Sequence, residues 1–358
     1  MTTLVIFLVL VAVLFLLRET YSKYCLKDVD VKLMISSITA TEGDKLILSE
    51  VVTNAKWLPL PWLTVRFQVD RGLAFNDQTD HIASDFYYRN DLFHVLMHQK
   101  IKRHLHFTCT RRGVYGMHDL EVTAWDFLMT EKHMRKYDFS TRITVFPSTL
   151  DDAETEELCT RIYGQLRTRY PIHPDPFSFR GIREYSTSDP MKNINFKASA
   201  KTHELMVNIR DFGGTRQVVL LLDMERHIIG YNEMLEERAI RIVATLAEHL
   251  TSQGIPIAYV TNGSSIAEGC GVHHLHTILE ALAHINISAK EIEPFEKVLD
   301  RIALEKQFEP EYLLISPYYN KSIDTAFSQL YERGARTAWV MPEPKPHGQV
   351  YADRIIFI

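Results

Sequence analysis

Val218-Val219-Leu220-Leu221-Leu222-Asp223 is an unbroken apolar run closed by a carboxylate. A strand with one solvated face alternates polar and apolar residues. A strand apolar at every position is buried on both faces, the condition of a parallel strand between layers of helix. Working outward, Leu235, Ala239, Ile242, Val243, Leu246 and Leu250 recur at helical spacing and stop near Gly254. Pro256 to Val260 reads as a strand, Thr277 to Ala283 as a helix, and Ser288 with Glu291 offers a capping box before a helix from Ile292 to Leu304. Tyr312 to Ile315 is strand, Ser322 to Arg333 is helix stopped by Gly334, Thr337 to Met341 is strand, and Ile355 to Ile358 adds a last one. This βαβα succession predicts an α/β domain over residues 213–358, with a mostly parallel sheet and helices on both faces. Ligands of such sheets bind at the carboxyl ends of strands, here Asp223 to His227, Thr261 to Ser265 and Ser316 to Tyr319.

Upstream, residues 28–148 have another period. Val31-Lys32-Leu33-Met34-Ile35 and Leu46-Ile47-Leu48-Ser49-Glu50-Val51-Val52 are short alternating runs separated by turn clusters such as Thr41-Glu42-Gly43-Asp44. Period-two alternation of this kind predicts half-buried strands and a small β-sandwich. Between the two domains, residues 149–212 form a connecting segment. It opens on an acidic run, Asp151, Asp152, Glu154, Glu156 and Glu157, read as a solvated connection. At the amino end, Leu4 to Leu17 is apolar throughout, and with Thr2 and Thr3 it reaches roughly 25 Å as a helix, nearly the span of a bilayer core. It lacks the basic leader and small-residue cleavage site of a secretory signal. Arg18, Lys23 and Lys27 follow the run and no Lys or Arg precedes it. Residues 1–20 are therefore expected to be a single-pass transmembrane anchor in the cell membrane, with both domains in the cytoplasm.

The connecting segment continues into Phe177 to Val207, too polar for a core and too patterned for a linker. Gly181, Arg183, Glu184, Tyr185, Asp189, Ile194, Ser199, Ala200 and Leu205 keep the spacing G-x-R-E-Y-x-x-G-D-x-x-R-x-I-D-W-x-x-S-A-R-x-x-x-L, and in this the chain resembles the "domain of unknown function 58" family of von Willebrand factor A-like bacterial proteins. Ser188 stands for a glycine, Lys192 and Lys201 for arginines, and Asn195-Phe196 for the Asp-Trp pair. A second stretch, Arg111-Arg112-Gly113-Val114-Tyr115 with Asp126, resembles the end of that family's sandwich. The resemblance implies a multidomain protein: a transmembrane helix, a β-sandwich, then a von Willebrand A-like α/β domain. It also implies a membrane protein that works beside a MoxR-type AAA+ ATPase on a client protein.

Chemistry is the weaker theme. A von Willebrand A-type domain usually holds a divalent cation through D-x-S-x-S after its first strand, and this chain has Asp223-Met224-Glu225-Arg226-His227. The aspartate remains and both hydroxyls are gone. Asp223 then reads in two ways: a residual ligand, with Glu225, in a rebuilt magnesium site, or a carboxylate that caps local amides and pairs with Arg226. His94, His98, His104 and His106, and the cluster of Cys270 with His273, His274 and His276, match no zinc spacing and read as ordinary surface histidines. Four scattered cysteines, Cys25, Cys109, Cys159 and Cys270, read as unpaired thiols. The formal charge of -5 argues against nucleic acid as a partner. No nucleophile elbow, phosphate loop or H-E-x-x-H is present.

No enzyme activity and no cofactor are expected on these grounds. The first reading is a noncatalytic interaction or adaptor protein; the alternative is a metal-dependent receptor. The interaction motif comprises Arg180, Gly181, Arg183, Glu184, Tyr185, Asp189, Lys192, Ser199 and Lys201. Its mixed charges suit a clasp that ties strand edges, with Tyr185, Ile194, Phe196 and Ala198 packed inward, and suit equally a clasp that also meets a partner.

Overall fold

The computed structural model describes residues 2–75, 86–126, 129, 131–169, 179–185, 194–202, 204–210, 217–225, 232–285, 293–304, 310–342 and 355–358. The chain divides into two units, Met1–Ser148 with Leu279–Asn286, and Thr149–Ile278 with Ile287–Ile358.

The first unit is a β-sandwich. One sheet has the order β1 (Val29–Ile35), β3 (Lys45–Asn54), β7 (Lys100–Cys109), β5 (Leu73–Phe75). The other runs β2 (Thr39–Thr41), β9 (Lys132–Phe146), β8 (Gly113–Trp125), β4 (Leu60–Asp70), β6 (Phe86–Val95). All pairings are antiparallel except β2 with β9. The alternation seen in the sequence is the pleat itself: Val29, Val31 and Leu33 of β1 are buried, and Asp30, Lys32 and Met34 between them are exposed. Leu48, Val52, Leu63, Val65, Phe67, Phe107, Val122 and Ile143 form the core between the sheets.

Tyr115 explains part of the R-R-G-x-Y stretch. Its hydroxyl donates to Arg112 O at 2.8 Å, and its ring lies so close to the backbone of Gly72 that a Cβ there would fall 2.0 Å from Cζ. Arg112 is buried, and its guanidinium donates to the carbonyls of Leu282 and Ile285 at 2.9 and 3.0 Å, within the same unit.

The amino-terminal helix corrects an expectation. α1 runs Thr2–Tyr24, and among the described residues no helix is long and apolar enough to cross a membrane. The apolar run from Leu4 to Leu17 rises about 21 Å at about 1.5 Å per residue, short of a core of about 30 Å. The rest of the helix carries Arg18, Glu19 and Lys23, and its end belongs to the sandwich: Tyr21, with Cys25 and Leu26 just beyond, is buried in the core. The single-pass anchor over residues 1–20, and the cell-membrane location drawn from it, do not stand.

In the second unit, α2 (Asp152–Arg169) replaces the expected solvated connection. Asp151 Oδ1 accepts the Glu154 N–H at 2.7 Å, so the acidic run caps and opens a helix whose Leu158, Cys159, Ile162 and Leu166 are buried. A ribbon of β10 (Phe179–Glu184) and β11 (Met206–Arg210) carries the short helix α3 (Phe196–Thr202) between its strands. The larger sheet has the order β14 (Ser265–Gly269), β13 (Ile257–Thr261), β12 (Val218–Leu222), β15 (Glu311–Ile315), β16 (Arg336–Met341), β17 (Ile355–Phe357). Helices α6 (Phe295–Leu304) and α7 (Lys321–Glu332) share a core with Val219, Leu221, Tyr312, Leu314 and Trp339. α4 (Glu233–Ser252) packs against β12, β13 and β15, and α5 (Val272–His284) follows β14.

The expected fold class does not hold as a whole. Besides the missing membrane span, the larger part of the strand structure is antiparallel sandwich. The six-stranded sheet is mixed, because β14 turns back antiparallel on β13 at its edge. The von Willebrand A assignment is corrected to a β-sandwich in one unit and, in the other, a mixed sheet with four parallel pairings and one antiparallel edge.

Candidate functional site

Two places gather the residues singled out in the sequence. The first is the ribbon. Arg180, Gly181, Arg183 and Glu184 fall on β10, and the Tyr185 N–H continues the pairing by donating to Leu205 O at 2.8 Å. Ser199 and Lys201 fall on α3, whereas Asp189 and Lys192 lie outside the described residues. The organising residue is one left out of the interaction motif. Asn195 Oδ1 accepts the Ala198 N–H at 2.9 Å as the amino cap of α3, and the Asn195 N–H donates to Met206 O at 2.8 Å. Ser199 Oγ donates to Asn195 O at 2.8 Å and accepts the Met206 N–H at 2.8 Å. Ile194 bridges to Val207, which is buried. Two hydrogen bonds, Asn195 N–H to Met206 O and Met206 N–H to Ser199 Oγ, therefore tie α3 and its cap to β11.

Phe196 departs from the reading that packed it inward. It is 77 % exposed, and Leu205 beside the ribbon is 53 % exposed. An aspartate in place of Asn195 would cap the helix equally well, so the change from the family's pair is conservative at the cap. What the sequence lacks is any signal that the aromatic ring faces outward.

The second place is the carboxyl end of β12. Asp223 is buried, and its N–H donates to Ile315 O at 2.9 Å. Its Oδ1 accepts the Glu225 N–H at 2.8 Å, an Asx turn, and its Oδ2 lies 2.8 Å from the Ser316 hydroxyl. Glu225 Oε2 accepts the Phe295 N–H at 3.0 Å, at the start of α6. Asn262 completes the group: its Oδ1 accepts the Met224 N–H at 2.7 Å and its Nδ2 donates to Glu293 O at 2.8 Å. Burial pushes the Asp223 carboxyl up to about 7, against the lowering effect of the Glu225 amide and the Ser316 hydroxyl. Ser316 Oγ also lies 2.7 Å from Tyr318 O, so one hydroxyl proton faces two acceptors. A protonated Asp223 relieves that conflict by donating to Ser316, which then donates to Tyr318 O.

This donor set does not suit a hard divalent cation. Both Asp223 oxygens, Glu225 Oε2 and Asn262 Oδ1 are committed to protein hydrogen bonds, and burial favours the neutral form of the one carboxylate at the centre. Among the described residues no group of three His, Cys, Asp or Glu side chains is placed to hold a metal ion. Arg226, the other partner considered for Asp223, lies outside the described residues. Ser316, at another strand end named in the sequence analysis, is a direct partner of Asp223. Asn262 sits in the strand-end stretch singled out for inspection, and its role needed the sheet order to be seen.

No family model matches the chain, and no curated protein matches it. Similar solved structures each cover about a third of this chain. The seventh ScaB type I cohesin of Pseudobacteroides cellulosolvens is 14 % identical, covering 34 % of this chain and 94 % of its own, with a TM-score of 0.23. A type II cohesin domain from the cellulosome of Acetivibrio cellulolyticus is 8 % identical over 32 % of this chain and 94 % of its own, with a TM-score of 0.24. The CARDB domain of a Pyrococcus furiosus protein, in complex with di-metal ions, is 14 % identical over 33 % of this chain and 90 % of its own, with a TM-score of 0.21.

Proposed function

We propose that this chain is a noncatalytic interaction protein whose docking element is the β10–α3–β11 ribbon. The supporting observation is Phe196: a large aromatic side chain held outward at 77 % exposure on a helix that Asn195 and Ser199 fix to the ribbon. An exposed ring on a pre-ordered helix buries a large apolar area on binding with little backbone freedom to lose, the profile of an interface anchor. The partner suggested by the motif resemblance is a MoxR-type AAA+ ATPase, with this chain as adaptor during assembly or maturation of a client complex.

The test is direct binding of the purified full chain to a MoxR-type AAA+ ATPase of the same organism by biolayer interferometry. Phe196→Ala should weaken binding by about tenfold or more, roughly 1.4 kcal/mol, with thermal unfolding unchanged. Equal binding by wild type and variant sinks the assignment of the ribbon as the docking element.

A further inference from the structure

The exposed face of α3 carries two lysines beside an aromatic ring. Phe196, Lys197, Ala200 and Lys201 are exposed, while Ala198 and Ser199 are half-buried toward the ribbon. Residues four apart on a helix stand one above the other, so this face shows two parallel stripes: Phe196 with Ala200, and Lys197 with Lys201. Lys197 sits in the first turn, where the helix dipole favours anions and where α3 has no acidic residue. Lys201 stands one turn from it, and like charges at that spacing repel. Among the described residues no carboxylate lies within ion-pair distance of either ammonium group.

We propose that this face docks an acidic amphipathic helix of the partner protein, whose carboxylates meet Lys197 and Lys201 and whose apolar stripe covers Phe196 and Ala200. This inference rests on the interaction reading above and names the partner's chemistry. Charge complementarity selects the occupant: carboxylates at i and i+4 of a facing helix are separated by a rise of about 6 Å, the same rise that separates the two lysines. They relieve both the repulsion and the unfavourable first-turn cation. A lipid surface offers anions at no fixed spacing.

The probe is a short labelled helical peptide with glutamates at i and i+4 beside a leucine stripe, compared with its glutamine counterpart, titrated onto the full chain by fluorescence anisotropy. The acidic peptide should bind, the glutamine peptide about tenfold more weakly, and the acidic peptide's affinity should fall with added salt. Lys197→Gln with Lys201→Gln should remove the difference between the peptides while circular dichroism and melting stay at wild-type values. Equal affinity for the two peptides, or binding of neither, overturns the inference. Binding of phosphatidylglycerol vesicles without binding of the acidic peptide overturns it too, and gives the face to lipid. If Phe196→Ala abolishes ATPase binding but the lysine pair can be neutralised without effect on it, the interaction reading stands and the acidic-partner inference falls. Lysine-dependent peptide binding with no ATPase binding has the opposite meaning.

Discussion

Glu50 is the residue whose environment makes the sharpest demand on solution conditions. It is fully buried in the sandwich, facing Arg103 across the β3–β7 pairing and Asp91 and Arg89 of β6. Asp91 is held by Arg89 at 2.7 and 3.2 Å and by Arg103 at 3.3 Å, so the two arginines already have a carboxylate. Burial and then the neighbouring Asp91 charge raise the Glu50 carboxyl, against Arg103 and Arg89, to about 8. A carboxyl with a raised folded-state pKa keeps its proton in the fold and loses it on unfolding. Stability should therefore fall as pH rises from about 4.5 to about 8 and level off above. Glu50→Gln should flatten that slope and be the more stable protein near pH 8, read as urea midpoints at about pH 5 and about pH 8. An unchanged slope would assign the pH dependence elsewhere. Asp91→Asn, in contrast, removes the carboxylate that holds both guanidinium groups and should cost up to about 3–5 kcal/mol, less what Glu50 recovers by ionising beside them.

At the scale of elements, α3 and α1 make separable predictions. Asn195→Ala removes the cap and should cost about 1 kcal/mol, seen as faster hydrogen exchange at Ala198 and Met206 with the rest of the chain unaffected. Truncation of α1 before Arg18 should leave the melting temperature of the sandwich unchanged, whereas truncation through Leu26 removes Tyr21, Cys25 and Leu26 from its core and should lower it by several degrees. Equal melting of the two truncated chains would exclude α1 from the sandwich core. The legibility of the elements follows the same physics. β12 announces itself as a fully apolar run, β15 and β16 as apolar stretches behind a charged first residue, and α4 by a long 3.6-residue stripe. β14 stays hidden because Ser265-Ile266-Ala267-Glu268-Gly269 is an edge strand with one neighbour and a largely exposed surface, so nothing forces a pattern on it. α6 begins at Phe295 behind Pro294, and the proposed cap of Ser288 with Glu291 lies outside the described residues. In α2 the acidic first turn masks the buried stripe that follows, and a charge run was read where a helix start stood. Asp223 was visible as a strand-end carboxylate, but Asn262 and Ser316 reach it only through the strand order, which no local pattern encodes.

For the whole molecule, two units with separate cores predict two unfolding transitions by calorimetry, with Glu50→Gln moving only that of the sandwich. A single transition shifted as one would show the units to be one cooperative body. The division also sets an order of events during synthesis. The sandwich strands end at Phe146, yet Leu279–Asn286 counts with them and supplies the Leu282 and Ile285 carbonyls that receive Arg112. A ribosome releasing this chain from its amino end must translate more than a hundred further residues before those acceptors emerge. The nascent sandwich waits, its Arg112 without two of its final acceptors, until most of the second unit has also left the exit tunnel.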